Sequence, residues 1–128
     1  MDLLLDTQLL VWLADDSSRL SERARLLVRD PGNMVAFSAA SLWEIAIKSA
    51  LRRDDFRIEP RSFRRDLLGH GYTELPVTGL HAVAIDTLPP LHKDPFDRLL
   101  LAQAMTEGIT LLTTDARLGR YQGPVRVV

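Results

Sequence analysis

Four carboxylates share one kind of position in this chain. Asp6 ends the apolar run Leu3-Leu4-Leu5, Glu44 and Asp97 fall in the first turns of predicted helices, and Asp115 follows the apolar run that ends at Thr113. Strands alternate here with helices. In a parallel α/β sheet the strand ends and the helix starts that follow them gather at one edge, where ligands bind. That arrangement brings acids distant in sequence into one cleft. Carboxylates in mutual contact raise one another's pKa unless a cation compensates them. A donor set of oxygen alone, with no Cys or His in it, points to Mg²⁺ or Mn²⁺ rather than zinc.

Each acid also has an ordinary structural explanation. Glu44 reads as the third-position acid of a capping box opened by Ser41, Asp94 as an N-cap before Pro95, and Asp97 as a favourable first-turn acid. Asp115 reads as a cap for a short helix. Asp6 stands apart, because the sequence demands no cap beside its three leucines. Around the acids, Thr7 and Thr114 are placed to orient a carboxylate or a water. Lys48, Lys93, Arg98 and Arg117 are candidates to meet phosphates. Trp12 and Trp43 read as packing residues. His92, in a loop beside Pro89-Pro90, reads as exposed, and His70, His81 and His92 are too far apart for a local zinc motif.

The elements that must position these residues follow from periodicity and punctuation. Leu3–Leu5, Met34–Phe37, Thr73–Val77, Ile109–Thr113 and Val125–Val127 read as strands. Helices are predicted over Thr7–Ala14, Glu22–Arg29 after a Ser21 cap, Ser41–Leu51, Pro60–Leu68 and Gly79–Leu88. The clearest helix is capped by Asp94, has Pro95 at its first position and Gly108 past its end. A short turn of helix is expected over Asp115–Gly119. The order implies an α/β fold with a mainly parallel central sheet of four to five strands, covered on both faces.

Length and composition narrow the function classes. The 128 residues, 46% hydrophobic and 26% charged, suit a single domain with its own core. The absence of cysteine excludes thiol chemistry and disulfides. The longest apolar run, Leu9 to Ala14, is far too short to span a membrane, and Met1-Asp2 lacks a basic signal-peptide region, so a cytoplasmic location is expected. Sixteen basic and seventeen acidic residues leave a net charge of −1, so contacts with a nucleic acid must be concentrated in a patch. The stretch from Lys48 to Arg65, with seven basic residues against three acids, offers one; a solvated surface is the plainer reading. Gln8 stands where a phosphoaspartyl phosphatase would need a second Asp, and no Ser-His-Asp order or glycine-rich phosphate loop is present.

Four blocks in order resemble PIN-domain proteins, above all the VapC-type ribonuclease toxins of type II toxin–antitoxin modules. They are Leu-Leu-Leu-Asp-Thr at 3–7, Ser-Leu-Trp-Glu-Ile-Ala-Ile-Lys at 41–48, His-Lys-Asp-Pro-Phe-Asp-Arg-Leu-Leu-Leu-Ala-Gln-Ala at 92–104 and Leu-Leu-Thr-Thr-Asp at 111–115. The resemblance implies one PIN domain over 1–128 with a three-layer α/β/α fold. It implies a Mg²⁺- or Mn²⁺-dependent endoribonuclease whose acidic site is Asp6, Glu44, Asp97 and Asp115, with Asp94 an additional acid of the Asp-Pro-Phe-Asp branch. It also implies a homodimer and a cognate protein antitoxin that neutralises it. A PIN-fold RNA-processing nuclease outside toxin systems, or a catalytically silent RNA-binding module, is the alternative expectation. On the residues alone, the leucine- and tryptophan-rich helix at 7–14, together with the helix around Leu42 to Leu51, is the expected surface for a partner helix.

Overall fold

A run of three leucines at the start of the chain becomes the centre of a sheet because it is buried from both sides. The computed structural model describes residues 1–51 and 58–128. Its strands are β1 (Asp2–Leu5), β2 (Met34–Ser38), β3 (Thr73–Leu75), β4 (Thr110–Thr113) and β5 (Val125–Val127). They form one sheet in the order β3-β2-β1-β4-β5, with every pairing parallel. The helices are α1 (Thr7–Ala14), α2 (Glu22–Arg29), α3 (Ala39–Ala50), α4 (Pro60–Gly69), α5 (Gly79–Ala84) and α6 (Pro95–Glu107). Among the described residues, no helix is long and apolar enough to cross a membrane.

Successive side chains of a strand point to opposite faces, and the two halves of the core follow that alternation. Leu3, Leu5, Val35, Phe37 and Leu112 pack on one face with Leu9 and Leu10 of α1, Ala24 of α2, Ile45 of α3 and Phe63 and Leu67 of α4. Leu4, Ala36 and Leu111 pack on the other face with Leu100, Leu101 and Ala104 of α6, closed by Leu88, Leu118 and Tyr121. The chain builds outward from β1 to β2 and β3, then returns to place β4 on the other side of β1. The carboxyl ends of β1 and β4 therefore flank the point where the strand order reverses, which is where open α/β sheets carry their ligand crevice.

Several boundaries differ from the sequence-based expectation, each for a local reason. α3 starts at Ala39 because the Ser38 hydroxyl accepts from the Ala40 N–H at 3.0 Å. The capping box expected between Ser41 and Glu44 therefore does not form; Ser41 instead accepts a buried hydrogen bond from Thr7 Oγ1 at 2.9 Å. β3 stops at Leu75, before Pro76, whose nitrogen carries no hydrogen for a sheet. The helix expected through Leu88 ends at Ala84 and continues as a 3₁₀ turn, Ile85–Thr87; the turn after Asp115 is likewise 3₁₀, Ala116–Arg120. Of the basic stretch, Arg52, Arg53, Asp54, Asp55 and Arg57 lie outside the described residues. Arg64 on α4 pairs with Glu74 of β3 at 2.7 Å.

The end of α6 matches its predicted signals. Gly108 adopts a left-handed conformation, φ 68°, and its N–H caps the Ala104 carbonyl. No neighbour crowds the position a Cβ would take, so a side chain there meets backbone strain alone. Gly108→Ala is expected to lower stability by about 1–2 kcal/mol, and Gly108→Asn by less. Denaturant midpoints of the two variants check this.

Candidate active site

Asp6 is where strand, helix and cleft meet. Its backbone N–H donates to the Leu112 carbonyl at 3.0 Å, extending the pairing of β1 with β4 by one residue. Its Oδ1 accepts from the Leu9 N–H at 2.8 Å, so Asp6 is the N-cap of α1, a role the sequence did not reveal. Its Oδ2 accepts from the Thr113 hydroxyl at 2.5 Å, and the Thr114 N–H lies at 3.4 Å from the same oxygen. Thr113 is fully buried and also accepts from the Asp115 N–H at 3.0 Å. This threonine, rather than Thr7 or Thr114, fixes the geometry between two of the predicted acids. Threonine at a strand end is too common for sequence to single it out.

α6 supplies the next pair. Asp94 Oδ1 accepts from the N–H groups of Phe96 and Asp97 at 2.9 and 3.0 Å, as its expected N-cap role requires. Asp97 Oδ2 lies 2.8 Å from His92 Nε2, and Asp115 Oδ2 lies 3.4 Å from the same nitrogen. His92 is 5% exposed, which corrects the expectation of an exposed loop residue. The reason is tertiary. The N–H of Leu91 turns back to the Pro89 carbonyl at 2.8 Å, and the His92 N–H donates to the Tyr121 hydroxyl at 3.0 Å, folding the ring inward.

Glu44 on α3 completes the set. It is buried, its Oε2 lies 2.7 Å from Lys48 Nζ one helical turn on, and its Oε1 is buried without a hydrogen-bond partner among the described residues. Asp6, Glu44, Asp94, Asp97 and Asp115 all line one cleft of about 380 Å³, with Lys48, Thr7, Thr114 and Trp12. The other basic candidates take different places. Arg117 is mostly exposed and grips Asp115 through Nε and Nη2 at 3.0 and 2.8 Å. Lys93 is exposed. Arg98 turns to the carbonyls of Ile85 and Leu88, at 3.3 Å each, and braces that turn instead of the cleft. Trp43 packs edge-on against Phe96 at 5.2 Å while remaining 60% exposed.

The electrostatics show what the cleft lacks. Burial pushes the Asp6 carboxyl above its ordinary value, and nearby Glu44 adds to the rise, against hydrogen bonds from Thr113, Leu9 and Thr114. Asp97 is pushed up to about 6, chiefly by burial and then by Asp94 and Asp6, with His92 opposing. Asp115 is held low by Arg117. Acids pushed up by burial and one another, beside a buried carboxylate oxygen with no donor, suit a hard divalent cation, which binds oxygen and favours the ionised forms. The residues fit such an ion.

Sign and window of the pH dependence follow from these shifts. An acid whose folded pKa is raised binds more protons folded than unfolded, so its contribution to stability is present below the unfolded pKa and is lost as pH rises through the folded value. Without divalent ions, Asp97 should lower stability as pH rises from about 4 to about 6, and Asp6, also raised, acts in the same direction. Asp97→Asn should remove much of that slope and raise the melting temperature near pH 7. Thermal melts of both proteins in chelator at several pH values check this; a parent and variant with the same pH slope would refute it.

Comparison with known proteins agrees with the geometry. Ribonuclease VapC22 of Mycobacterium tuberculosis is 29% identical over 121 residues, spanning 94% of this chain and 92% of its own length. Among solved structures, VapBC2 from Rickettsia felis, bound to a DNA fragment from its promoter, superposes with a TM-score of 0.72 at 17% identity, covering 100% of this chain and 99% of that one. A toxin–antitoxin complex from Klebsiella pneumoniae gives a TM-score of 0.65 at 16% identity, covering 97% and 95%. Residues 3–124 match the PIN domain family, and this chain, with its five parallel strands and the acidic cleft at their carboxyl edge, belongs to that family.

Proposed function

We propose that this chain, as one PIN domain over residues 1–128, is a metal-dependent endoribonuclease that acts as a toxin in the cytoplasm and is neutralised by a cognate antitoxin. The observation that carries the reading is the convergence of Asp6, Glu44, Asp97 and Asp115 on one cleft at the switch point of the sheet. The 29% identity to a ribonuclease supports RNA as the substrate. The fold shared with toxin–antitoxin complexes supports the partner.

Asp6 and Asp97 are the principal ligands in this reading, for Mg²⁺ or Mn²⁺, with Glu44 and Asp115 binding directly or through water. When bound, the ion supplies an acidified water and neutralises charge developing on the phosphate. The chain's own residues do the rest. Thr113 holds the Asp6 carboxylate and the backbone of Asp115 in one arrangement. Asp94 spends one oxygen on the α6 cap and, by its charge, raises Asp97. Arg117 and Lys93 are exposed and meet RNA phosphates at the rim.

The same reading gives the antitoxin a place. A second cleft of about 410 Å³ lies among α1, α2 and α4, lined by Leu13, Ala14, Val28, Phe63, Leu67 and Tyr72. It uses apolar surface of α1 with α2 and α4, while the Leu42–Leu51 helix expected from sequence also exposes Trp43, Ile47 and Leu51. An antitoxin helix laid there by its apolar face, with a basic side chain reaching the acids, would block the site. The homodimer belongs to the same proposal.

Purified chain should cleave RNA with Mg²⁺ or Mn²⁺ and be silent in excess chelator. Asp6→Asn and Asp97→Asn should each lose more than the roughly 10–100-fold typical of an outer-sphere partner. Asp94→Asn should lose less, because Asn also caps helices. Cleavage that survives chelator, or equal losses at 94 and 97 in folded variants, would overturn the assignment. A metal-dependent ribonuclease harmless to cells when expressed alone would instead be a processing enzyme.

A further inference from the structure

The metal reading above names carboxylates alone, yet a nitrogen stands beside two of them. His92 Nε2 lies 2.8 Å from Asp97 Oδ2 and 3.4 Å from Asp115 Oδ2. Donor atoms of these three residues all lie within 4.8 Å of one another. Adjacent ligands on an octahedral ion with bonds of about 2.1 Å stand about 3 Å apart. The two observed separations bracket that edge, so Nε2 stands where a ligand neighbouring either carboxylate on one ion would stand.

Two further observations support a ligand role over a simple hydrogen bond. The ring is delivered by its backbone: the His92 N–H is tied to the Tyr121 hydroxyl at 3.0 Å and the side chain is buried. As a hydrogen-bond donor, Nε2 serves Asp97 at a good distance and Asp115 at a poor one. In the acidic cleft that Asp97 and Asp115 line, Glu44 Oε1 is buried with no donor among the described residues. Donors of these three residues held this close suit a shared cation.

We infer that His92 is a nitrogen ligand of the metal centre and that it sets which metal the chain prefers. The inference rests on the metal-nuclease reading and adds one residue to it. Imidazole favours borderline transition ions, whereas Mg²⁺ prefers carboxylate and water oxygens. A centre with one imidazole and several carboxylates therefore discriminates for Mn²⁺ over Mg²⁺ more sharply than an all-oxygen centre does. Reaction with either ion remains compatible with this, since the inference concerns affinity and ligand identity.

The test uses Mn²⁺ as a spectroscopic probe on the full chain. Pulsed electron paramagnetic resonance should show coupling of bound Mn²⁺ to a directly ligated nitrogen, changing from a ¹⁴N to a ¹⁵N pattern when the histidines alone are labelled. The other two histidines lie elsewhere: His81 is held by Thr78 and Glu107, and His70 lines the apolar cleft. His92→Gln should abolish the coupling and weaken Mn²⁺ binding at least about tenfold while changing Mg²⁺ binding little. Should that variant fail to fold, the labelled parent protein decides the matter alone. Bound Mn²⁺ without nitrogen coupling overturns the inference and leaves the metal-nuclease reading standing. Failure of Mn²⁺ to bind at all overturns both.

Discussion

The carboxylate of Asp6 is held from two directions, and the rest of the site depends on that hold. One oxygen caps α1 through Leu9; the other takes the hydroxyl of Thr113, 107 residues away in sequence, at the end of β4. The strands on either side of the switch point are thereby locked to the first turn of a helix by a single side chain. Burying a carboxylate is costly unless hydrogen bonds and charge compensate it. Here the hydrogen bonds are supplied but they do not suffice, and the carboxyl still sits above its ordinary range. The fold thus fixes a charge it does not fully satisfy.

Capping and metal holding turn out not to be alternatives. Asp6, Asp94 and Asp115 each use Oδ1 to cap a helix or turn, accepting from Leu9, from Phe96 and Asp97, and from Arg117 respectively. The cap orients the carboxylate and leaves Oδ2 for other work. Asp6 Oδ2 goes to Thr113, and Asp115 Oδ2 turns toward His92 and Arg117. The partial positive charge of a helix N-terminus also favours the ionised acid, which eases the crowding of five acids in one cleft. Strand order then does the gathering, because a parallel sheet directs every such helix start to one edge.

How much of this was legible in the sequence depends on how local each feature is. The buried central strand announced itself as Leu3-Leu4-Leu5, and α6 as Asp94-Pro95 followed by Gly108, because those signals lie within one turn or one strand. The acids were legible through their shared position after strands and at helix starts. Glu44 was assigned the wrong structural partner, since Ser38 and Ser41 both precede it and only the three-dimensional path shows which one caps α3. His92 and Thr113 escaped for a deeper reason. Their partners, Tyr121 and Asp6, lie 29 and 107 residues away, and no periodicity encodes such a contact.

The central claim is that Asp97 and Asp6, raised by burial, give up protons when a divalent cation binds. Calorimetric titration of the chelated protein with Mn²⁺, in buffers of different ionisation enthalpy, counts those protons directly. With Asp97 near 6, binding at about pH 6 should release about half a proton per ion from that group, and the raised Asp6 adds to the release. A binding heat that is the same in every buffer at about pH 6 would contradict the account.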